Sequence, residues 1–388
     1  MARKSNLERY IDAFTVQTGE VANRDKLIWA IQQTLREEDL KLFFLLPMMG
    51  SLTRNQFQRK ALRAGFSEEQ FNESLTRLHE EGFVISHNLS KKGRVFERAF
   101  VSFTLEQQVR RKRSTELGAA YGEFWDSLAS LTFKMPSKTP YFRVLAVEST
   151  LPEQPQKEVI KVGARISNQA QVLPIDFISE MVKREPIIGV SECYCRLARD
   201  NRGDGHCEYP RETCFTFNEL AQTLIETNLA RKINPDEAIR ILRGTEEAGL
   251  IHNVDNAQGS LKALCNCCPC CCPAVKSFKA GVRNVNAASR FFPLWHADRC
   301  TTCGKCAAIC PLDAITSNSD SPAFHFDLCI GCGLCASHCP SHAIEMVLRQ
   351  DLPIIPKTND ALWSQIRSEA IFNLIKQKIG GIFSFIKK

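Results

Sequence analysis

The chain reads Cys300-Thr-Thr-Cys303-Gly-Lys-Cys306-Ala-Ala-Ile-Cys310-Pro311 and then Cys329-Ile-Gly-Cys332-Gly-Leu-Cys335-Ala-Ser-His-Cys339-Pro340. Both runs follow the pattern C-x2-C-x2-C-x3-C-P. The repeat extends over Asp298–Ile315 and Asp327–Ile344, and each copy ends in Cys-Pro-x-x-Ala-Ile. The repeat predicts two similar sites built on cysteine.

The spacing of these cysteines is typical of metal ligation. A cubane of four irons and four sulfides needs three thiolates from one tight loop and a fourth from elsewhere, and the two-residue gaps supply that loop. Gly304, Gly331 and Gly333 let the backbone curl close to inorganic sulfide. Structural zinc sites also use C-x2-C pairs, so two zinc sites are the alternative. Two complete four-cysteine runs that close with Cys-Pro favour iron and sulfide.

The segment Cys300–Ile344 resembles a bacterial ferredoxin module that carries two [4Fe-4S] clusters, and it covers roughly an eighth of the chain. In that family the fourth cysteine of each run serves the other cluster. The resemblance therefore implies two ligand sets, which are Cys300, Cys303, Cys306 and Cys339 for one cluster and Cys329, Cys332, Cys335 and Cys310 for the second.

The composition indicates that the eighteen cysteines bind metal rather than form disulfides. The 388 residues are 44% apolar, which is enough for two to four packed units. The N-terminus lacks an apolar signal region and no run of eighteen apolar residues occurs, so we expect a cytoplasmic protein without a spanning helix. Cysteines at ligand spacing in such a protein indicate metal sites in a reducing, anaerobic cytoplasm.

The formal net charge of +7 is not a signal for nucleic acid. A [4Fe-4S] core with four thiolates carries a net charge of roughly −2. Two clusters would bring the total to about +3, and four would bring it near −1. The basic side chains therefore serve largely as counter-charges for metal sites.

The N-terminal sequence predicts helices, followed by helices and strands in the order found in winged-helix domains. Residues 1–36 show apolar residues at helical spacing, and residues 37–102 read as three helices and then two strands, with Val95–Phe103 as the returning strand. The third helix is rich in glutamate, which would repel DNA phosphates. A docking or structural role is therefore favoured over DNA binding. The run Arg110-Arg-Lys-Arg113 is interpreted as a solvated helix start.

The next stretch predicts mixed structure without a nucleotide site. Residues 114–135 are interpreted as a helix, Tyr141–Val147 and Glu158–Ile166 as strands, and Leu173–Val182 as a short helix. There is no Gly-x-Gly-x-x-Gly motif in a strand–helix context and no Gly-Lys-Ser/Thr loop, so nucleotide binding is not supported.

Four cysteines in the middle region can supply the complete ligand set of one metal site. They are Cys193, Cys195, Cys207 and Cys214. On an extended chain, Cys193 and Cys195 would place their sulfurs on one side while Tyr194 points away. An iron–sulfur cluster and a zinc ion both fit this set. Arg196, Arg199 and Arg202 are candidates to donate to sulfur or to offset its charge, and His206 is an alternative ligand or a loop residue.

Six further cysteines crowd into eight positions, a density that core packing does not explain. They are Cys265, Cys267, Cys268, Cys270, Cys271 and Cys272. Adjacent side chains diverge, so the six cannot all bind one metal. Together with the four upstream cysteines they predict one or two additional clusters. Adjacent cysteine pairs loosely resemble the substrate-side clusters of heterodisulfide-reductase-type subunits, although the spacing does not match that family's signature.

The C-terminal end predicts a linker and an amphipathic helix. Residues 351–360 contain two prolines, and residues 361–388 carry apolar residues, Trp363 and several lysines. Such a helix either lies on a membrane surface, as in a peripheral protein on its inner face, or docks on protein.

The whole pattern predicts an α+β multidomain protein. The predicted segments are 1–36 (N-terminal helices), 37–113 (winged-helix-like unit), 114–190 (mixed helix and strand), 191–292 (cysteine-rich metal-binding region), 293–350 (ferredoxin-like two-cluster module) and 351–388 (linker and helix). The favoured function is single-electron transfer between redox partner proteins or oxidoreductase subunits, without catalysis of its own. The alternatives are a thiol or disulfide reductase with a site-differentiated cluster at Cys265–Cys272 and a redox-sensing winged-helix regulator.

Overall fold

A computed structural model describes residues 4–18, 23–88, 91–132, 137–152, 173–317, 321–350 and 354–386. The chain forms two compact units, each assembled from two segments. The first comprises Met1–Thr132 with Pro186–Ile233, and the second comprises Phe133–Glu185 with Asn234–Lys388. The predicted strand Glu158–Ile166 lies outside the described residues.

The first unit begins with helices and a small antiparallel sheet. Its helices before residue 133 are Asn6–Thr18, Arg24–Thr34, Glu37–Phe43, Arg54–Arg63, Glu68–Glu80, Val101–Arg111 and Glu116–Thr132. In the sheet, Val95–Arg98 lies between Leu52–Thr53 and Val84–His87. Within residues 37–98 the predicted order of three helices and two strands is observed, with the short strand Leu52–Thr53 added, while membership of the winged-helix class stays a prediction.

Two capping boxes set the starts of adjacent helices in this unit. The Thr53 side chain accepts a hydrogen bond from the Gln56 amide, and Ser67 does the same for Gln70. The two boxes begin the helices at Arg54 and Glu68 by satisfying amides of their first turns. The second of these helices exposes its glutamates, which are Glu68, Glu69, Glu73 and Glu80.

The predicted returning strand Val95–Phe103 is wrong in its second half. The strand ends at Arg98, and a helix occupies Val101–Arg111. Its Thr104 and Gln107 side chains both donate to the Gly82 carbonyl, at 3.0 and 3.3 Å. These long-range contacts with the turn at Gly82 outweigh the alternating local pattern. The basic run Arg110–Arg113 is therefore at a helix end, and Arg110 is only 7% exposed rather than solvated.

The rest of the first unit places a cysteine-bearing strand in a second sheet. Ile188–Glu192 pairs antiparallel with Glu212–Phe217 on one side and Arg231–Ile233 on the other. The helices here are Tyr194–Asn201 and Asn218–Glu226. The second helix packs on Val84–His87, where the Thr223 hydroxyl and the Ser86 backbone exchange hydrogen bonds of 3.1 and 3.0 Å.

The second unit contains four strands in the order Asn286–Ala287, Phe142–Leu145, Ile251–Asp255 and Ala263–Cys267. The first pair is parallel and the other pairs are antiparallel. Two further antiparallel pairs join Phe291–Trp295 to Ile344–Leu348 and Ile315–Ser317 to Pro322–Phe324. The helices, 3-10 turns included, are Glu148–Thr150, Pro174–Asp176, Ile178–Lys183, Pro235–Glu247, Pro273–Lys279, Ala297–Arg299, Lys305–Ile309, Leu334–Ser337 and Asn359–Ile386.

The C-terminal helix Asn359–Ile386 docks on its own unit along its first turns. Leu362 and Ile366 are buried against Ala257, and Trp363 packs on the ring of Tyr141 with centroids 4.9 Å apart. The remaining predicted apolar and basic positions, beyond residue 373, fall outside the described side chains. Among the helices that the structure describes, none is long and apolar enough to cross a bilayer.

Glu369 anchors this helix to the turn at residues 137–139. Its carboxylate accepts hydrogen bonds from the Ser137 hydroxyl at 2.9 Å, the Lys138 amide at 2.9 Å, and the Thr139 amide and hydroxyl at 2.8 and 2.7 Å. Burial acts to raise the pKa of Glu369, but the hydrogen bonds from Thr139, Gln365 and Ser137 outweigh it and lower the pKa to about 2.

We expect Glu369→Gln to loosen this helix at neutral pH. The ionised carboxylate is the stronger acceptor, so hydrogen exchange of the helix amides should be faster by a factor that corresponds to about 1–2 kcal/mol. Because the folded pKa is depressed, this contribution is complete above about pH 4.5 and is lost as the pH falls toward 2. The gap between Glu369→Gln and wild type should shrink over that window. Asp360→Asn, at an exposed carboxylate of the same helix, is the control, and a gap that is independent of pH would contradict the assignment.

Candidate metal centres

Two cavities in the second unit are each lined by four of the repeated cysteines. The first is lined by Cys300, Cys303, Cys306 and Cys339. The second is lined by Cys310, Cys329, Cys332 and Cys335. Each cavity therefore receives three sulfurs from one run and the fourth from the other run. A set of four thiols around one cavity is the donor set that a [4Fe-4S] cluster requires.

Backbone amides point at the cysteines that cross between the runs. The Ala314 amide donates to Cys310 Sγ at 3.3 Å, and the Ala343 amide donates to Cys339 Sγ at 3.2 Å. Ala314 and Ala343 occupy equivalent positions of the repeat. Amide hydrogen bonds of this kind stabilise negative charge on sulfur.

Two glycines allow the loop of the second cavity to approach neighbouring backbone. Gly331 and Gly333 have φ values of 68° and 79°. A Cβ on Gly331 would lie 2.0 Å from the Phe291 carbonyl oxygen, and one on Gly333 would lie 3.0 Å from the Val147 amide nitrogen. Only glycine fits both the conformation and the space.

The two cavities differ in their exposure to solvent. Cys303 is exposed, and a hydrogen bond from the Lys305 amide lowers the pKa of its thiol. In the second cavity, burial raises the pKa of Cys332 to about 12 and that of Cys335 well above its usual range. The first cavity therefore has one exposed thiol, that of Cys303, and the second has one buried thiol, that of Cys335.

Arg349 lies beside the second cavity, and the sequence reasoning missed it. Its Nη2 donates to the Cys329 carbonyl at 3.4 Å, and its Nε donates to the Ser289 carbonyl at 3.0 Å. Its position just after the strand Ile344–Leu348, which pairs with Phe291–Trp295, brings it to this site. A lone arginine outside both cysteine runs carries no sequence signal for this role.

The thiol contacts of the six crowded cysteines fall into two groups. Cys270 Sγ lies 3.6 Å from Cys268 Sγ and 3.5 Å from Cys271 Sγ. The expectation that adjacent cysteine side chains diverge is therefore wrong for Cys270 and Cys271. Separately, the Cys272 thiol is hydrogen bonded to that of Cys267, which together with burial raises the pKa of Cys272 well above its usual range. Thiols packed so closely cannot ionise together unless a cation joins them, so the arrangement suits a metal.

A buried polar chain fixes the strand that carries two of these cysteines. Asn266 Oδ1 lies 2.6 Å from His252 Nδ1 and 3.0 Å from the Thr245 hydroxyl. His252 Nε2 lies 3.0 Å from Glu246. Because alternate residues of a strand share a face, Cys265 and Cys267 project on the side opposite to Asn266.

The four cysteines of the first unit lie after the strand Ile188–Glu192 and up to or within the strand Glu212–Phe217. The extended chain expected through Cys193–Cys195 is wrong, because Cys193 caps the helix Tyr194–Asn201 and Cys195 lies in its first turn. Cys207 is buried in the following loop, and Cys214 is buried in the strand Glu212–Phe217. None of the eighteen cysteines, all of which lie in the described ranges, forms a disulfide.

The three arginines predicted near this set each donate to at least one oxygen, and their role at sulfur stays a prediction. Arg196 donates to the Pro210 carbonyl and to Thr213 Oγ1, Arg199 to the Asp204 carbonyl, and Arg202 to the Asp204 carboxylate and the Gly122 carbonyl. His206 is exposed and lies 2.7 Å from Arg211 Nη2.

A donor to sulfur in this unit is Arg110, whose Nη2 donates to Cys214 Sγ at 3.3 Å. Close by, burial raises the pKa of Glu106 to about 7, against the opposing effect of Arg110.

Comparison with known families assigns the C-terminal region. Residues 293–316 and 322–345 each match the family described as the 4Fe-4S binding domain. The chain therefore contains a 4Fe-4S binding domain of two tandem motifs, and this confirms the resemblance of Cys300–Ile344 to a two-cluster module. No curated protein matches the chain.

Proposed function

We propose that this protein is a multi-cluster iron–sulfur carrier that passes single electrons between redox partner proteins in a reducing cytoplasm. The observation that carries the proposal is the pair of four-cysteine cavities inside the 4Fe-4S binding domain. When bound, a [4Fe-4S] cluster accepts and releases one electron at a time. The protein contributes binding, insulation from water and the charge environment.

In this proposal Cys300, Cys303, Cys306 and Cys339 hold one cluster, and Cys310, Cys329, Cys332 and Cys335 hold the other. The lining of the two cavities supports this grouping. The Ala314 and Ala343 amides stabilise the crossing thiolates, which favours the more negative, reduced state.

The exposed loop Thr301–Lys305 is the proposed contact point for an electron-transfer partner. Thr301, Thr302 and Cys303 are exposed there. The second site has no exposed cysteine, so in this proposal electrons reach it through the first site. Burial disfavours additional negative charge, and Arg349 opposes this effect through its own positive charge.

The ten upstream cysteines are proposed to hold one or two further centres. The Cys268–Cys270–Cys271 group and the Cys267–Cys272 contact support metal ligation in the second unit. A zinc ion at Cys193–Cys214 is the alternative to a cluster in the first unit.

Metal counts after anaerobic purification test the proposal. We expect at least about eight irons and eight sulfides per chain, and about twelve or sixteen if the upstream cysteines hold one or two clusters. Stepwise reduction should produce EPR signals that appear and disappear as single electrons are added. A colourless protein that contains zinc and no sulfide would refute the proposal.

A second candidate function, reduction of a thiol or disulfide substrate, is favoured by the paired thiols of Cys267 and Cys272. It requires that a disulfide substrate changes the spectrum of an upstream centre. An unchanged spectrum at saturating substrate would contradict the reductase function, and electron transfer would stay as the proposed function.

A further inference from the structure

Arg110 is a buried cation whose surroundings the fold alone does not explain. It lies at the end of the helix Val101–Arg111, and its side chain is 3% exposed. A guanidinium is costly to bury unless anionic groups compensate for the lost hydration. The groups around Arg110 therefore indicate which anionic group compensates for the lost hydration of its guanidinium.

Three polar partners surround this guanidinium. Its Nε donates to the Glu192 carbonyl at 3.1 Å, and its Nη2 donates to Cys214 Sγ at 3.3 Å. Its Nη1 lies 3.8 Å from the Glu106 carboxylate, which is beyond hydrogen-bond distance. The ring of Tyr194 lies 5.1 Å below it. The direct hydrogen bond to a group that can become anionic is thus the one to Cys214.

This geometry orients the arginine toward one sulfur. Glu192 ends the strand that pairs with the strand of Cys214, since Ser191 lies opposite Cys214 in the register. The bond to the Glu192 carbonyl therefore fixes the guanidinium plane so that its outer edge meets Cys214 Sγ. Arginine presents its donors in a rigid plane, which a lysine cannot reproduce.

We propose that Arg110 is a positioning residue that holds Cys214 as a thiolate metal ligand and raises the reduction potential of the centre that Cys214 helps to bind. The inference rests on the proposed upstream centre. A hydrogen bond and a positive charge at a ligand sulfur stabilise the reduced cluster more than the oxidised one, because the reduced cluster carries one more negative charge.

The test is a redox titration of the full chain with Arg110→Gln and Arg110→Lys. The signal of the centre is first identified as the one that Cys214→Ala removes. At a fixed solution potential, Arg110→Gln should lower the ratio of reduced to oxidised centre about tenfold, which is 59 mV for one electron. Arg110→Lys keeps the charge and should shift the ratio less. Arg111→Gln is the matched control, because Arg111 neighbours Arg110 but donates to the Thr227 carbonyl at 3.3 Å.

Each possible result either supports or contradicts the proposed role of Arg110. A shift in Arg110→Gln that is absent in Arg111→Gln supports the proposal. If Arg110→Gln fails to fold, an intermediate shift in Arg110→Lys supports it, and an unchanged potential in Arg110→Lys contradicts it. Equal potentials in all variants overturn the role of Arg110 while the upstream centre stands. Full iron content in Cys214→Ala removes Cys214 as a ligand and overturns the inference, while the two clusters of the C-terminal domain remain.

Discussion

Cys310→Ala is expected to abolish the cluster held by Cys329, Cys332 and Cys335 rather than the one held by its own run. Cys310 lines the cavity of the second run. Loss of one thiolate from a four-thiolate site opens the cluster to solvent and to loss of iron. We therefore expect about four fewer irons per chain than in wild type. Alanine is chosen because a serine oxygen can replace a thiolate.

The matched comparison is made by EPR of reduced protein. Cys310→Ala should lose the same signal as Cys332→Ala and keep the signal that Cys303→Ala loses. Cys339→Ala should show the reverse behaviour, since Cys339 lines the cavity of the first run. If Cys310→Ala and Cys303→Ala lose the same signal, each run holds its own cluster and the crossed assignment is incorrect.

Gly331→Ala is expected to be the most damaging single change in the glycines of the cluster loops. Its left-handed φ of 68° costs about 1–2 kcal/mol for a residue with a Cβ. The added Cβ would also lie 2.0 Å from the Phe291 carbonyl oxygen, so backbone must move. Overpacking of this kind costs about 1–3 kcal/mol more. The total expected loss is thus about 2–5 kcal/mol.

Gly304→Ala provides the control because it shares the conformation without the clash. Gly304 has a φ of 71°, and the nearest atom to its Cβ would be Ser317 Oγ at 3.5 Å. The readout is the rate at which the visible iron–sulfur absorption bleaches in guanidinium under anaerobic conditions. Gly331→Ala should bleach about tenfold faster than Gly304→Ala, or more. Equal rates would show that the Phe291 backbone yields at little cost.

Several features followed directly from local sequence. The capping boxes at Thr53 and Ser67 set helix starts because their side chains bond amides only three residues away. The repeated cysteine runs are also a local feature of the sequence, since three sulfurs of each site come from one tight loop. Matching of both runs to the 4Fe-4S binding domain follows from the same short-range pattern.

Other features depended on contacts between distant residues. The alternating residues of 95–103 suggested one long strand, yet the chain turns into a helix because Thr104 and Gln107 bind the Gly82 carbonyl. The sequence of the C-terminal helix allowed two interpretations, which were a membrane surface and a protein contact. The burial of Leu362 and Ile366 shows that this part of its apolar face packs on protein.

The sequence by itself determined that the C-terminal region contains a 4Fe-4S binding domain, because ligand spacing is a property of consecutive residues. Only the tertiary structure decided which charged groups meet the cysteines, since Arg110 donates to Cys214 Sγ and Arg349 donates to the Cys329 carbonyl. Arg110 and Arg349 lie far along the chain from the cysteines that they approach, at 104 and 20 residues. The first hydrogen bond joins a helix end to a strand, and the second joins the residue after a paired strand to the loop of the second cavity. No local pattern encodes either contact.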